Sequence, residues 1–200
     1  MYNKIKLLCP IILLICTLAA FYFGFNNKLS SHNFAPIDAL YHGSVNKDIR
    51  ILEPRSYHVR DKEEGEVVFA TPSLKLASCY VFSWDDSWAN QSISWQDGDK
   101  TDYQIIMVIS DQGRFKKEDS GGSIYILPVA KFKFDKNKGL GIFEWTSKEK
   151  VVPFAQINFA SALEAMKKSG VKVYFVNKEE FNHYLALPGE EQEKFLLDLR

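Results

Sequence analysis

Three consecutive residues, His42-Gly43-Ser44, end the apolar Leu40-Tyr41 run and combine groups suited to holding a ligand. A neutral imidazole can donate from one ring nitrogen and accept at the other. A glycine lets a ligand approach the backbone more closely than any side-chain-bearing residue allows. Far downstream, Glu144 lies between apolar neighbours in Gly141-Ile142-Phe143-Glu144-Trp145-Thr146-Ser147, a setting expected of an acid at a cleft. Glu149, in the polar Ser147-Lys148-Glu149-Lys150 turn, is the weaker acidic candidate.

Other chemistries find no support. There is no Gly-x-Ser-x-Gly elbow for a serine hydrolase. His58 and His183 are isolated, and no His/Cys spacing suits zinc. Gly121-Gly122-Ser123 lacks the strand–loop–helix setting of a nucleotide fingerprint and reads as a turn. Asp97-Gly98-Asp99 could offer oxygens to calcium, but neither the spacing nor a closing Glu matches an EF-hand.

The elements that must position these residues follow from pattern. Alternation and β-branched or aromatic runs predict strands over 38–42, 66–70, 103–110, 122–127, 130–134, 141–146, 151–157 and 171–176. Helices are predicted over 73–83 with Ser73 as cap, 160–168 stopping at Ser169-Gly170, 178–186, and 189–198 after Pro188-Gly189. Residues 83–102, with three of the four tryptophans, read as one Trp-pinned loop. Many short strands with scattered helices indicate an α+β domain of packed antiparallel or mixed sheets with flanking helices.

The chain has 200 residues, 46% hydrophobic and 25% charged, as expected of a globular protein. Leu7 to Phe25 are nineteen residues without a charged side chain, enough to span a bilayer as a helix. Because the apolar run continues to Phe25, an uncleaved signal anchor is the favoured reading. A signal peptide cleaved after Thr17-Leu18-Ala19 is the alternative. Lys4 and Lys6 favour a cytoplasmic amino terminus, leaving the domain outside the cytoplasm or, after cleavage, secreted. The expected organisation is 1–30 as anchor or signal, 31–37 as tether and 38–200 as one domain, a size that needs no disulfides. Cys79, the one cysteine beyond the apolar segment, reads as a small core residue. Residues 31–200 carry 22 basic and 25 acidic groups, a net charge of −3, so no basic footprint for nucleic acid is expected.

The His42-Gly43-Ser44 run, the strand ending Phe69-Ala70 before a helix, and Glu144 ahead of Trp145-Thr146 together resemble the ADP-ribosyltransferase-like superfamily. The likeness is to its His-Tyr-Glu branch, which includes poly(ADP-ribose) polymerases and shares its fold with RNA 2′-phosphotransferases. That resemblance covers most of residues 38–176. It implies two packed sheets with NAD⁺ between them as substrate. It assigns His42 to the nicotinamide-side ribose and the Gly43 backbone to the nicotinamide amide, with Ser44 completing the motif. Val68 stands where the branch has its tyrosine, so stacking on nicotinamide falls to Phe69 or Tyr80. Arg55, with its bidentate fork, would clamp the pyrophosphate. Glu144 would bond the ribose and stabilise the oxocarbenium as nicotinamide leaves. The implied function is a membrane-tethered or exported transferase or NAD glycohydrolase, an effector or toxin, whose acceptor is not specified and could be a protein. The alternatives are an inactive NAD- or partner-binding module on a membrane stalk, and an RNA 2′-phosphotransferase.

Overall fold

The computed structural model describes residues 38–56, 65–95, 103–137 and 139–199, which belong to one compact unit, Pro36–Arg200. The apolar run 7–25, the tether 31–37, His58 and Asp97-Gly98-Asp99 lie outside the described residues. Among the described residues, no helix is long and apolar enough to cross a membrane.

Short strands and helices alternate irregularly along the chain, and the domain is α+β. Strands β1 (Leu40–Ser44), β5 (Gly122–Leu127) and β7 (Ala155–Phe159) form an antiparallel sheet in the order β1-β5-β7. Its centre is buried on both faces, as the all-buried β5 run shows, whereas β7 is an exposed edge. Strands β2 (Val68–Ala70) and β6 (Trp145–Ser147) pair antiparallel. The third sheet, β3-β4-β8, joins β3 (Ala89–Trp95) antiparallel and β8 (Lys172–Phe175) parallel to β4 (Tyr103–Ile109). The continuous apolar run Ile105 to Ile109 makes β4 a strand covered on both faces.

Helices cover these sheets. Helix α1 (Leu74–Ser78) is capped by Ser73, whose side chain accepts from Leu76 N. With α2 (Gln112–Glu118) and α3 (Ala162–Lys168) it contributes to the main core, where Leu76, Phe115 and Met166 meet Ile105 and Met107 from β4. A second cluster joins Leu40, Val68, Tyr125 and Leu127. A third seats α4 (Lys178–Ala186) and α5 (Gly189–Asp198) on β4 and β8 through Phe181, Tyr184 and Leu196, all fully buried. A capping box between Asn177 and Glu180 starts α4.

Several expectations need correction. The helix predicted over 73–83 has a single regular stretch, 74–78, because the chain turns at Cys79 to bury Val81 and Phe82. Residues 89–95 are a strand rather than part of a loop, and it pairs along its whole length with β4. Helix α2 was not anticipated. The predicted strand 130–134 is a 3₁₀ turn, Val129–Lys131, followed by one bridge, Lys133 to Thr146. The predicted strand 141–146 is a 3₁₀ turn, Gly141–Phe143, that leads through Glu144 into β6. The predicted strand 151–157 begins only at Ala155, after Pro153.

Cys79 follows α1 with no exposed surface, and its Sγ lies 3.7 Å from the Lys75 carbonyl oxygen. Burial pushes its thiol far up, against a smaller opposing contribution from Ser78. Since the thiolate is the reactive form, Cys79 in the native protein should resist a thiol reagent that labels it rapidly in the unfolded chain, as followed by peptide mass spectrometry. Fast labelling of Cys79 in the native protein would contradict this placement.

Candidate functional site

The site begins where two strands part. Tyr41 exchanges both backbone hydrogen bonds with Thr71, at 2.8 and 2.9 Å, and this is the one β-bridge between β1 and the β2 segment among the described residues. In a continuing antiparallel ladder the next such pair would be Gly43 with Phe69. Instead His42 Nδ1 donates to the Phe69 carbonyl oxygen at 2.8 Å. The histidine side chain thus takes the acceptor that the strand would have used. Because alternate residues of β1 face opposite neighbours, the Gly43 N–H and C=O point to the same side as those of Tyr41, into the gap where β1 leaves β2.

That hydrogen bond also fixes the imidazole. With Nδ1 carrying the proton toward a carbonyl, the neutral ring keeps Nε2 as an acceptor. Burial lowers the His42 pKa, the bond to Phe69 opposes this, and the nearby Arg55 charge lowers it further. The folded protein therefore prefers His42 neutral.

Gly43 has a second constraint. A Cβ built there would overlap the Ala77 carbonyl oxygen and lie 3.1 Å from Tyr80 Cβ. Helix α1 therefore sits directly on the Gly43 backbone, which brings Ala77 and Tyr80 beside the strand end.

Around this junction lies a cleft of about 480 Å³ lined by His42, Gly43, Ser44, Phe69, Tyr80 and Glu144. Its volume falls within the roughly 300–1,000 Å³ of small-molecule sites. Phe69 is half-buried, whereas Tyr80 is exposed, and its ring lies 5.8 Å from that of Trp84. Glu144 enters from the turn ahead of β6, where its N–H donates to Gly141 O at 3.1 Å. Its place beside the others follows from β6 pairing with β2, the strand that carries Phe69. Arg55 is not in this group. It is exposed and bridges Val67, and it lines a smaller recess of about 50 Å³ that shares His42, Ser44 and Phe69 with the main cleft. Val68 is 2% exposed and belongs to the second core cluster, so it offers no face to a ligand.

No protein-family model, curated protein or solved structure matches this chain. Among the described residues, no group of three or more His, Cys, Asp or Glu is placed to hold a metal ion.

Sequence reading missed part of the cleft wall. Thr71, Leu140 and Phe143 line it as well. Thr71 comes from the bridge that ends the β1–β2 contact, and Leu140 and Phe143 from the turn before Glu144. Their side chains carry no chemical signature that would have singled them out.

The His42 environment predicts a pH dependence of stability. Its folded pKa is below the ordinary 6.5, so the unfolded chain binds more protons as pH falls. The stabilising contribution is complete above about pH 6.5 and is lost progressively below it. Thermal melts from about pH 7.5 to about pH 5.5 should show Tm falling on the acid side. His42→Asn retains a donor for Phe69 O but cannot titrate, and its profile should be flatter. Parallel profiles for the two proteins would contradict this.

Proposed function

We propose that this domain binds NAD⁺ in the β1–β2 cleft and breaks the bond between nicotinamide and ribose, as an ADP-ribosyltransferase or NAD glycohydrolase. The observation that carries this reading is the gathering of His42, Gly43, Phe69, Tyr80 and Glu144 around one cleft, beside a backbone amide turned into a strand gap. The outward-turned N–H and C=O of Gly43 suit the carboxamide of nicotinamide, which needs one acceptor and one donor. Phe69 and Tyr80 supply π faces for its ring. Nε2 of neutral His42 suits a ribose hydroxyl as an acceptor. Arg55 would reach a phosphate from the adjoining recess rather than from the main cleft. The parting of β1 from β2 favours the finer arrangement of two packed sheets with the ligand between them. The domain acts, in this reading, from a membrane anchor or after export.

The reaction asks little covalent chemistry of the protein. The C1′–N bond breaks and its electron pair stays with nicotinamide, which leaves neutral. Positive charge then spreads over C1′ and the ring oxygen of the ribose. Water or an acceptor nucleophile bonds C1′ and loses its proton. Glu144 is the one carboxylate lining the cleft among the described residues, and its role is to stabilise that transient cation. Calorimetric titration of the full-length protein with NAD⁺ tests the reading. Saturable binding that weakens in His42→Ala is expected. Binding without any nicotinamide release would leave the inactive binding module as the function, and no binding would overturn both.

A further inference from the structure

Two glycines precede Glu144 in the left-handed region, Gly139 at φ +52° and Gly141 at φ +60°. They differ in what surrounds them. For a Cβ built on Gly139, the three nearest heavy atoms are all in the Glu144 carboxyl group, and it would overlap them. For a Cβ on Gly141, the nearest atom is the Lys136 carbonyl oxygen at 3.3 Å. The Glu144 carboxylate thus folds back over the bare Cα of Gly139. The turn between them is closed by Phe143 N donating to Leu140 O and Glu144 N donating to Gly141 O, at 3.3 and 3.1 Å. It is fastened to the core through Phe143, whose ring meets Tyr103 edge-on at 4.6 Å.

From this we infer that Gly139 is a positioning residue for Glu144: the space left by its missing Cβ is the seat of the carboxylate, and that seat sets how the carboxylate is presented to the cleft. The inference rests on the role given to Glu144 under the proposed function. A left-handed φ alone would explain a glycine at both positions, but only Gly139 also needs the room. Core contacts hold the turn, so the carboxylate rather than the backbone would give way to an added methyl. Displacing a catalytic group by about 1 Å can cost roughly 10²-fold in rate.

Gly141→Ala is the comparison. It puts the same left-handed strain into the same turn, but the atom its methyl meets is the Lys136 carbonyl oxygen rather than the carboxylate. In the full-length protein, both Gly139→Ala and Gly141→Ala should melt below wild type. Gly139→Ala should lower kcat for nicotinamide release by roughly 10–10² while KM holds, and Gly141→Ala, which meets no atom of the carboxylate, should lose clearly less. Combined with Glu144→Gln, Gly139→Ala should add little further loss, because the group it displaces is already disabled. Equal kcat losses in the two glycine variants, or full additivity with Glu144→Gln, would overturn the inference. A readout independent of turnover separates its failure from that of the enzymatic reading. The Glu144 carboxyl ¹³C resonance, assigned by its loss in Glu144→Gln, should shift in Gly139→Ala and shift less in Gly141→Ala. An unmoved resonance in Gly139→Ala sinks the positioning role whether or not the wild type cleaves NAD⁺. A protein that shows the shift but releases no nicotinamide retains the seat and loses the enzyme.

Discussion

Glu144→Gln is expected to slow nicotinamide release by roughly 10²–10³, about 2.7–4 kcal/mol of transition-state stabilisation, and to leave NAD⁺ affinity nearly unchanged. The amide keeps the shape of the side chain and removes its charge. The charge matters only once the ribose becomes cationic, so the loss belongs in kcat and not in Kd. His42→Ala should behave differently. It removes the donor to Phe69 O together with a proposed ground-state contact, so both affinity and rate should fall. Chromatography of released nicotinamide and calorimetry of binding separate the two variants. Equal losses of affinity in both would mean that Glu144 serves only to bind.

Gly43→Ala is expected to destabilise the fold as well as the site. The atoms that a new methyl meets are the Ala77 carbonyl and Tyr80 Cβ, so relief requires helix α1 to move off β1. Overpacking of this kind costs roughly 1–3 kcal/mol, a fall in Tm of roughly 3–10 °C for a domain of this size. Moving α1 also moves Tyr80, so NAD⁺ binding should weaken in the same variant. Gly189→Ala is the control, since a Cβ there meets nothing within 4 Å. Thermal melts followed by circular dichroism check both, and an unchanged Tm for Gly43→Ala would contradict the close packing of helix and strand.

The elements legible in the sequence were those with strong local signals. Helices 178–186 and 189–198 and strand 122–127 have the bounds that pattern alone indicates: Pro188-Gly189 separates the two helices, and Ile124 to Leu127 form the apolar run of the strand. Strand β3 was hidden by its composition. Asn90, Gln91, Ser92 and Ser94 are poor strand formers, and β4 holds them by pairing along their whole length. Helix α2 was hidden because Phe115 is its one buried residue, so no apolar stripe is visible, and the Asp111 cap accepting from Arg114 N starts it. In the candidate site, short motifs identified residues that the fold then brings around one cleft. The motifs could not indicate that the Phe69 carbonyl is taken by His42, or that Gly139 borders the Glu144 carboxylate. Both facts depend on where separate strands and turns end in space. Arg55 illustrates the same limit: its guanidinium fork suits a phosphate, but the fold places it in the adjoining recess.

The most direct test is a time course of NAD⁺ incubated with purified full-length protein, with nicotinamide quantified by chromatography beside the Glu144→Gln variant. The account predicts nicotinamide accumulating with wild type and roughly 10²–10³ more slowly with Glu144→Gln. Intact NAD⁺ in both samples, with no heat of binding for either protein, would contradict it.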